Sequence, residues 1–462
     1  MINLFENISP FDFRYYGRNN AVKDRLAPYL SERGFVKYLA NVEAALAKAL
    51  AKRKVCSPAI AAEIEKACKQ VTAEEVYHEE DRIKHNIRAL ANSIRNRVSD
   101  KAKPYVHFTT TSHDIICSAD AARLKDFTNQ ALLPMLIELE NTLIALALRE
   151  KDTIQIGRTH GQHAEPITFG FAIAQYVSRL GTRIVRIKNT GNNLRGKIAG
   201  AVGAYNASSL FIKDPEQFEK DVLSYLGIKP SPISTQVVES EYVTDHVHAV
   251  VSALGVLANL ADDMRHLQRS EIGEVAEAFG EKQVGSSTMP HKRNPINFEN
   301  VKSMWKEIMP RINTVYMDQI CEHQRDLTNS ASSRFIPEIL AGLYVSLVRM
   351  NKVMGKMVVD KANLKKNFDM NSSMIAAEPA YILLAAHNHP DAHEVVRELT
   401  LQSQTSGKPF VELFFKEKKL QPYISKFTQA QVAILKVPER YIGISAKKVE
   451  NICGFWKKEL KI

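Results

Sequence analysis

Proline is spread unevenly along this chain. None falls between Pro166 and Pro215, between Pro232 and Pro290, or between Pro337 and Pro379. Proline breaks helix interiors, because it lacks the backbone donor and clashes with the preceding turn. Its absence over such spans permits helices well beyond the usual length. The apolar residues agree. Val247, Val250, Val251, Leu254, Leu257, Leu260, Met264 and Leu267 recur mostly at steps of three and four, which is one face of a helix. The same spacing runs through Leu132, Leu136, Leu139, Leu143 and Leu146, and through Ile339, Leu343, Leu347 and Met350. Alternating strand-like runs are scarce. The expected fold class is therefore all-α, a bundle of long helices whose apolar stripes favour self-association.

At 462 residues the chain exceeds one ordinary core of roughly 100–200 residues. Turn formers and β-branched residues from Lys101 to Thr111 can close an N-terminal helical domain, and Asn367 to Pro379 can open a C-terminal one. The expected division is 1–115, 116–366 as the long-helix bundle, and 367–462. A composition 45% apolar and 24% charged is that of a globular chain. The five cysteines are scattered, with no Cys-x-x-Cys, so free thiols in a reducing compartment are expected rather than disulfides or zinc. The N-terminus lacks a basic start followed by an apolar run, so no secretory leader is expected. The most apolar stretch, Ala131 to Leu148, is interrupted by Pro134, Glu138 and Glu140, so no membrane span is expected. Cytoplasm is the expected location. The formal charge of +11 comes from basic residues interleaved with acids. That pattern suits a polyanionic small molecule better than a nucleic acid.

Three segments carry groups suited to chemistry. In Gly285 to Pro295, backbone N–H groups, Ser286, Ser287, Lys292 and Asn294 can grip a carboxylate and stabilise charge developing beside it. Asn294 followed by Pro295 is also a well-made helix start, with Glu299 in or near the first turn. A plain surface loop with a good cap is the other reading. In Gly157 to Pro166, His160 and His163 have the spacing of metal ligands but no third ligand nearby. A histidine in this glycine-bearing turn suits proton transfer, or a structural hydrogen bond. In Val106 to Asp114, hydroxyls and histidines precede a helix and suit an anion at its N-terminus, or simple capping.

The run Met289-Pro290-His291-Lys292-Arg293-Asn294-Pro295 resembles the signature loop of the fumarase/aspartase superfamily, in the form found in adenylosuccinate lyases and carboxymuconate cycloisomerases. The cycloisomerases tend to carry tryptophan at the position of His160, so histidine there points to the adenylosuccinate lyase family. Ser9 to Tyr15, Lys84-His85-Asn86, His107 with Thr111-Ser112, Gly200 to Gly203, Ser234 to Gln236, and Arg325-Asp326 with Ser330 and Arg334 match further segments of that family. The resemblance runs from about residue 9 to about residue 340. Two departures stand out: Asn86 replaces the usual Asp, which bears on how His85 is oriented, and Thr109-Thr110 replace Gly-Leu. Arg14-Tyr15 and His291 to Arg293 speak against argininosuccinate lyase or aspartase. Retention of Ser286, His160 and Lys292 speaks against a non-catalytic helical protein.

The resemblance implies a three-domain helical lyase, a homotetramer whose active sites are shared between subunits, and the release of fumarate from succinylated purine nucleotides. It implies Ser286 as base, His160 as acid oriented by Glu299, and Lys292 as the cation beside the developing charge. His85 would support the acid or the phosphate. Substrate would be held by Arg14, Tyr15, Lys84, Asn86, His107, Thr111, Ser112, Gln236, Ser287, Asn294, Arg325, Ser330 and Arg334. No metal or organic cofactor is implied.

Overall fold

The computed structural model describes residues 4–278, 288–289 and 291–462. Among these the chain is mainly helical, with three small two-stranded sheets. The second proline-free interval holds one unbroken helix, Glu241–Leu267, of 27 residues, or about 40 Å at the helical rise per residue. Its stripe from Val247 to Met264 is buried, as are the stripes from Leu132 to Leu146 and from Ile339 to Met350. Helices Ser112–Arg149 and Glu241–Leu267 are long and apolar enough to cross a bilayer, and more than half of each apolar window is buried within the chain.

Two compact units emerge. The first joins Met1–Glu138, Thr182–Leu257 and Val301–Arg349. Its alanine-rich helix Glu32–Lys52 packs on Pro58–Gln70 and Ser112–Phe127. Small buried side chains such as Ala40, Ala47 and Ala49 let the backbones approach. The start of Pro58–Gln70 follows from sequence: Ser57 accepts from the Ile60 N–H at 3.3 Å, and Pro58 fills a first-turn position whose N–H would be orphaned anyway.

The second unit joins Leu139–Gly181, Ala258–Asn300 and Met350–Ile462. Its C-terminal part has a small core of its own around Ala380, Leu384, Phe410, Phe414 and Leu420. It also holds a β-hairpin, β1 (Ile154–Thr159) and β2 (Gln162–Thr168), paired antiparallel. The sequence reading expects only a turn here. The pairing exceeds it because His160 and Gly161 both adopt positive φ, 52° and 75°, which matches the twist of a two-residue hairpin turn. Gly157 is required: a Cβ there would lie 2.6 Å from the Glu165 carbonyl oxygen.

Candidate active site

In the first unit several of the candidate residues gather around the N-terminus of helix Ser112–Phe127. Thr111 precedes it, and the Asp114 carboxylate accepts from the Thr111 N–H at 2.8 Å. Asp114 is fully buried and pairs with the equally buried Lys197 ammonium. The same carboxylate accepts from the N–H groups of Ala199 at 3.0 Å and Gly200 at 3.2 Å. Segment Lys197–Gly200 is thereby fastened to the turn that carries Thr111 and Ser112. Gly203 lies against the Ser234 carbonyl, and the Gln236 N–H donates to the Gln324 carbonyl at 3.3 Å. Arg325, next in sequence, donates through Nη1 to His113 Nδ1 at 2.9 Å. The structure thus brings together Thr111, Ser112, Gln236 and Arg325.

The other candidates of this unit stand apart from that cluster in their contacts. His107 sits at φ 60° with Nδ1 2.7 Å from Glu43 Oε1, and its N–H donates to the other oxygen at 3.0 Å. Burial pulls its pKa down, but the Glu43 carboxylate outweighs this and holds it above the ordinary histidine value. His85 caps helix Asn86–Arg95, its Nδ1 accepting from the Arg88 N–H at 3.2 Å. Lys84 before it is left-handed, with φ 58°, and Asn86 opens the helix. Arg14 and Tyr15 lie on the helical turn Phe11–Gly17, where the Arg14 guanidinium stands 6.0 Å from the Phe13 ring. Ser330 and Arg334 are exposed, Arg334 on the turn Ser332–Phe335.

In the second unit His160 is exposed at the hairpin tip. The hairpin is anchored below by Arg158, whose guanidinium forms a forked pair with the buried Glu274 carboxylate at 2.6 and 3.2 Å. Gln155 at 2.7 Å and Asn367 at 2.9 Å complete the satisfaction of Glu274. A rigid base with an exposed tip can present an imidazole to a ligand. His163, facing the other way in role, accepts from Asn371 at 3.2 Å, and burial together with Arg158 lowers its pKa.

Lys292 is exposed. Helix Ile296–Ile308 begins one residue later than the Asn294-Pro295 pattern suggests, with Glu299 in its first turn. The buried Glu277 carboxylate supplies the cap, accepting from the N–H groups of Asn297 at 2.8 Å and Phe298 at 3.0 Å. Within one chain no hydrogen bond joins His160 to Glu299 among the described residues. Ser286 and Ser287 lie outside the described residues. Among those described, no group of three metal-type ligands comes together.

Sequence reasoning missed Glu43, Lys197, Glu274, Glu277 and the role of His113. Only Asp114 had a local signal, standing three residues after Thr111 as capping partners do.

Comparisons with known proteins cover the chain almost end to end. Residues 6–309 match the family described as "Lyase", and residues 321–441 match "Adenylosuccinate lyase C-terminal". Adenylosuccinate lyase of Archaeoglobus fulgidus is 31% identical over 98% of this chain and 100% of its own. That of Pyrococcus abyssi is 34% identical over 97% of this chain and 98% of its own. In fold, the chain resembles 3-carboxy-cis,cis-muconate lactonizing enzyme from Pseudomonas putida, with a TM-score of 0.82 at 22% identity over 97% of this chain and 99% of that one. A fumarate lyase from Mesorhizobium sp. BNC1 gives 0.81 at 22% identity over 93% and 97%. With its sequence matched over nearly its whole length and its helical architecture shared, the chain belongs to the adenylosuccinate lyase family of the fumarase/aspartase superfamily.

Proposed function

We propose that this protein is a carbon–nitrogen lyase of purine nucleotide biosynthesis. It eliminates fumarate from adenylosuccinate to give AMP, and from the succinyl-aminoimidazole-carboxamide ribotide to give the aminoimidazole-carboxamide ribotide. The observation that carries the reading is the match to adenylosuccinate lyases over 97–98% of the chain, at 31% and 34% identity. The segments of His160 and Lys292 lie inside one matched family region and that of Arg325 inside the other.

Ser286 removes the proton from the carbon beside one substrate carboxylate. The electron pair passes into that carboxylate, giving a dianion that needs preorganised donors; Lys292, Asn294 and Ser287 supply them. A serine hydroxyl is a weak base and requires activation by the neighbouring lysine and loop amides. The pair then returns to form the double bond of fumarate as the C–N bond breaks. His160 gives its proton to the leaving N6 nitrogen, with Glu299 fixing its tautomer. Thr111, Ser112, Gln236 and Ser330 hold the succinyl and nucleotide parts, and Arg14, Tyr15, Arg325 and Arg334 the phosphate and carboxylates. Lys84, His85, Asn86 and His107 border the site.

The exposure of His160 and Lys292 fits groups offered to a neighbouring chain. The proposal therefore includes a cytoplasmic homotetramer with active sites shared between subunits, and three folding domains at 1–115, 116–366 and 367–462. Mixing tests the sharing. Ser286→Ala and His160→Ala are each expected to be inactive, and subunit exchange between them to restore activity. Mixtures as dead as either parent overturn the shared site; full activity in one variant removes that residue from its role.

A further inference from the structure

The geometry points to His113 as a positioning residue that fixes the Arg325 guanidinium for an anionic substrate group through a neutral acceptor. The inference rests on Arg325 binding substrate, as proposed above. Arginine carries only donors, so the 2.9 Å contact between Arg325 Nη1 and His113 Nδ1 requires a lone pair on Nδ1. The ring is therefore the neutral tautomer protonated at Nε2. Arg325 Nε donates to the Asp326 carbonyl at 2.8 Å. Two of the three guanidinium nitrogens are thus held by uncharged acceptors, and Nη2 makes no hydrogen bond among the described residues.

The surroundings explain why a neutral acceptor matters. His113 and Arg325 line one cavity, and Asp120, Glu239 and Asp318 line it too. Those carboxylates have partners of their own, Asp120 in Arg123, Glu239 in Ser231 and Asp318 in Ser332, whereas a carboxylate in the place of His113 would offset the charge that an anionic ligand needs. His113 is kept neutral by burial and by the nearby Arg325 and Lys197 cations, which pull its pKa down to about 4. It sits one residue beyond Ser112, at the helix start fastened by Asp114. The side chain that steers Arg325 is thereby locked to the same turn as the hydroxyls beside it.

The test measures adenylosuccinate turnover by wild type, His113→Phe, His113→Asn, Arg325→Ala and the double variant His113→Phe/Arg325→Ala. Phenylalanine keeps the ring and deletes the acceptor; asparagine places an amide oxygen close to the Nδ1 position. A hydrogen bond to a charged group corresponds to roughly a 10- to 100-fold effect. The expected result is a KM rise of about that size in His113→Phe with kcat changed far less, and recovery to within about threefold in His113→Asn. Adding His113→Phe to Arg325→Ala should raise KM no further, since contacting residues are non-additive. A His113→Phe variant with wild-type KM, or with the same loss in the Arg325→Ala background, overturns the inference. If the phenylalanine variant does not fold, the asparagine variant decides: KM within threefold of wild type supports the positioning role, and a tenfold rise overturns it. Failure of the functional reading is distinct, because then wild type itself does not turn over adenylosuccinate. An Arg325→Ala variant with wild-type KM also overturns the inference, leaving the lyase activity standing.

Discussion

Lys197→Met removes the cation from a fully buried ion pair and keeps most of the side-chain volume. Asp114 would lose the ammonium but keep three backbone donors, Thr111 at 2.8 Å, Ala199 at 3.0 Å and Gly200 at 3.2 Å. The bond from Lys197 Nζ to the Gly200 carbonyl, 2.9 Å, would also go. Breaking a buried pair by removing one partner costs about 3–5 kcal/mol. The retained N–H bonds to the carboxylate keep it partly solvated by the protein, which places the expectation at the lower end, about 3 kcal/mol. Trp305 lies in the first unit and Trp456 in the second, so urea unfolding followed by Trp305 fluorescence in a Trp456→Phe background reports on the affected unit. The midpoint should fall at unchanged slope. Replacing both partners, Lys197→Met with Asp114→Leu, should recover part of the loss, because no buried charge is left stranded. A loss below about 1 kcal/mol for Lys197→Met refutes the reasoning, since it falls far short of the roughly 3 kcal/mol expected for stranding Asp114.

Two further outcomes follow from other contacts. The His107–Glu43 pair raises the folded-state pKa of His107, so its contribution is fully present below the unfolded value of about 6.5 and is lost as pH rises through the folded value. The stability gap between wild type and His107→Gln should therefore be larger at pH ~6 than at pH ~9, and an equal gap at both contradicts the pairing. Glu277→Ala leaves the N–H groups of Asn297 and Phe298 without their acceptor. The expected cost is about 1–2 kcal/mol, with faster amide exchange at those two positions; unchanged exchange there would show that the cap lies elsewhere.

The long helices were legible because burial follows the 3.6-residue period: every position from Val247 to Met264 named for the stripe is buried. Caps such as Ser57-Pro58 are local in the same sense, since donor and acceptor sit within one turn. The hairpin was not, because Arg158 is anchored by Glu274, far away in sequence. The sequence placed the start of helix Ile296–Ile308 one residue early, and it did not reveal Glu277, twenty residues before Asn297, as the acceptor for the first-turn N–H groups. In the candidate site, the hydroxyls at Thr111 and Ser112 could be read from their place before a helix. The pairing of His113 with Arg325 spans 212 positions, and no local pattern encodes it. The Lys197–Asp114 pair is hidden likewise: a lysine between Gly196 and Ile198 reads as a solvated side chain until the fold buries it against a carboxylate 83 positions away.

The most direct measurement is conversion of adenylosuccinate by the purified protein, followed by loss of the succinyl-adenine absorbance and appearance of fumarate and AMP, beside a Ser286→Ala control. The account predicts turnover by wild type that the substitution abolishes. A folded wild-type sample that leaves adenylosuccinate intact contradicts the proposed function.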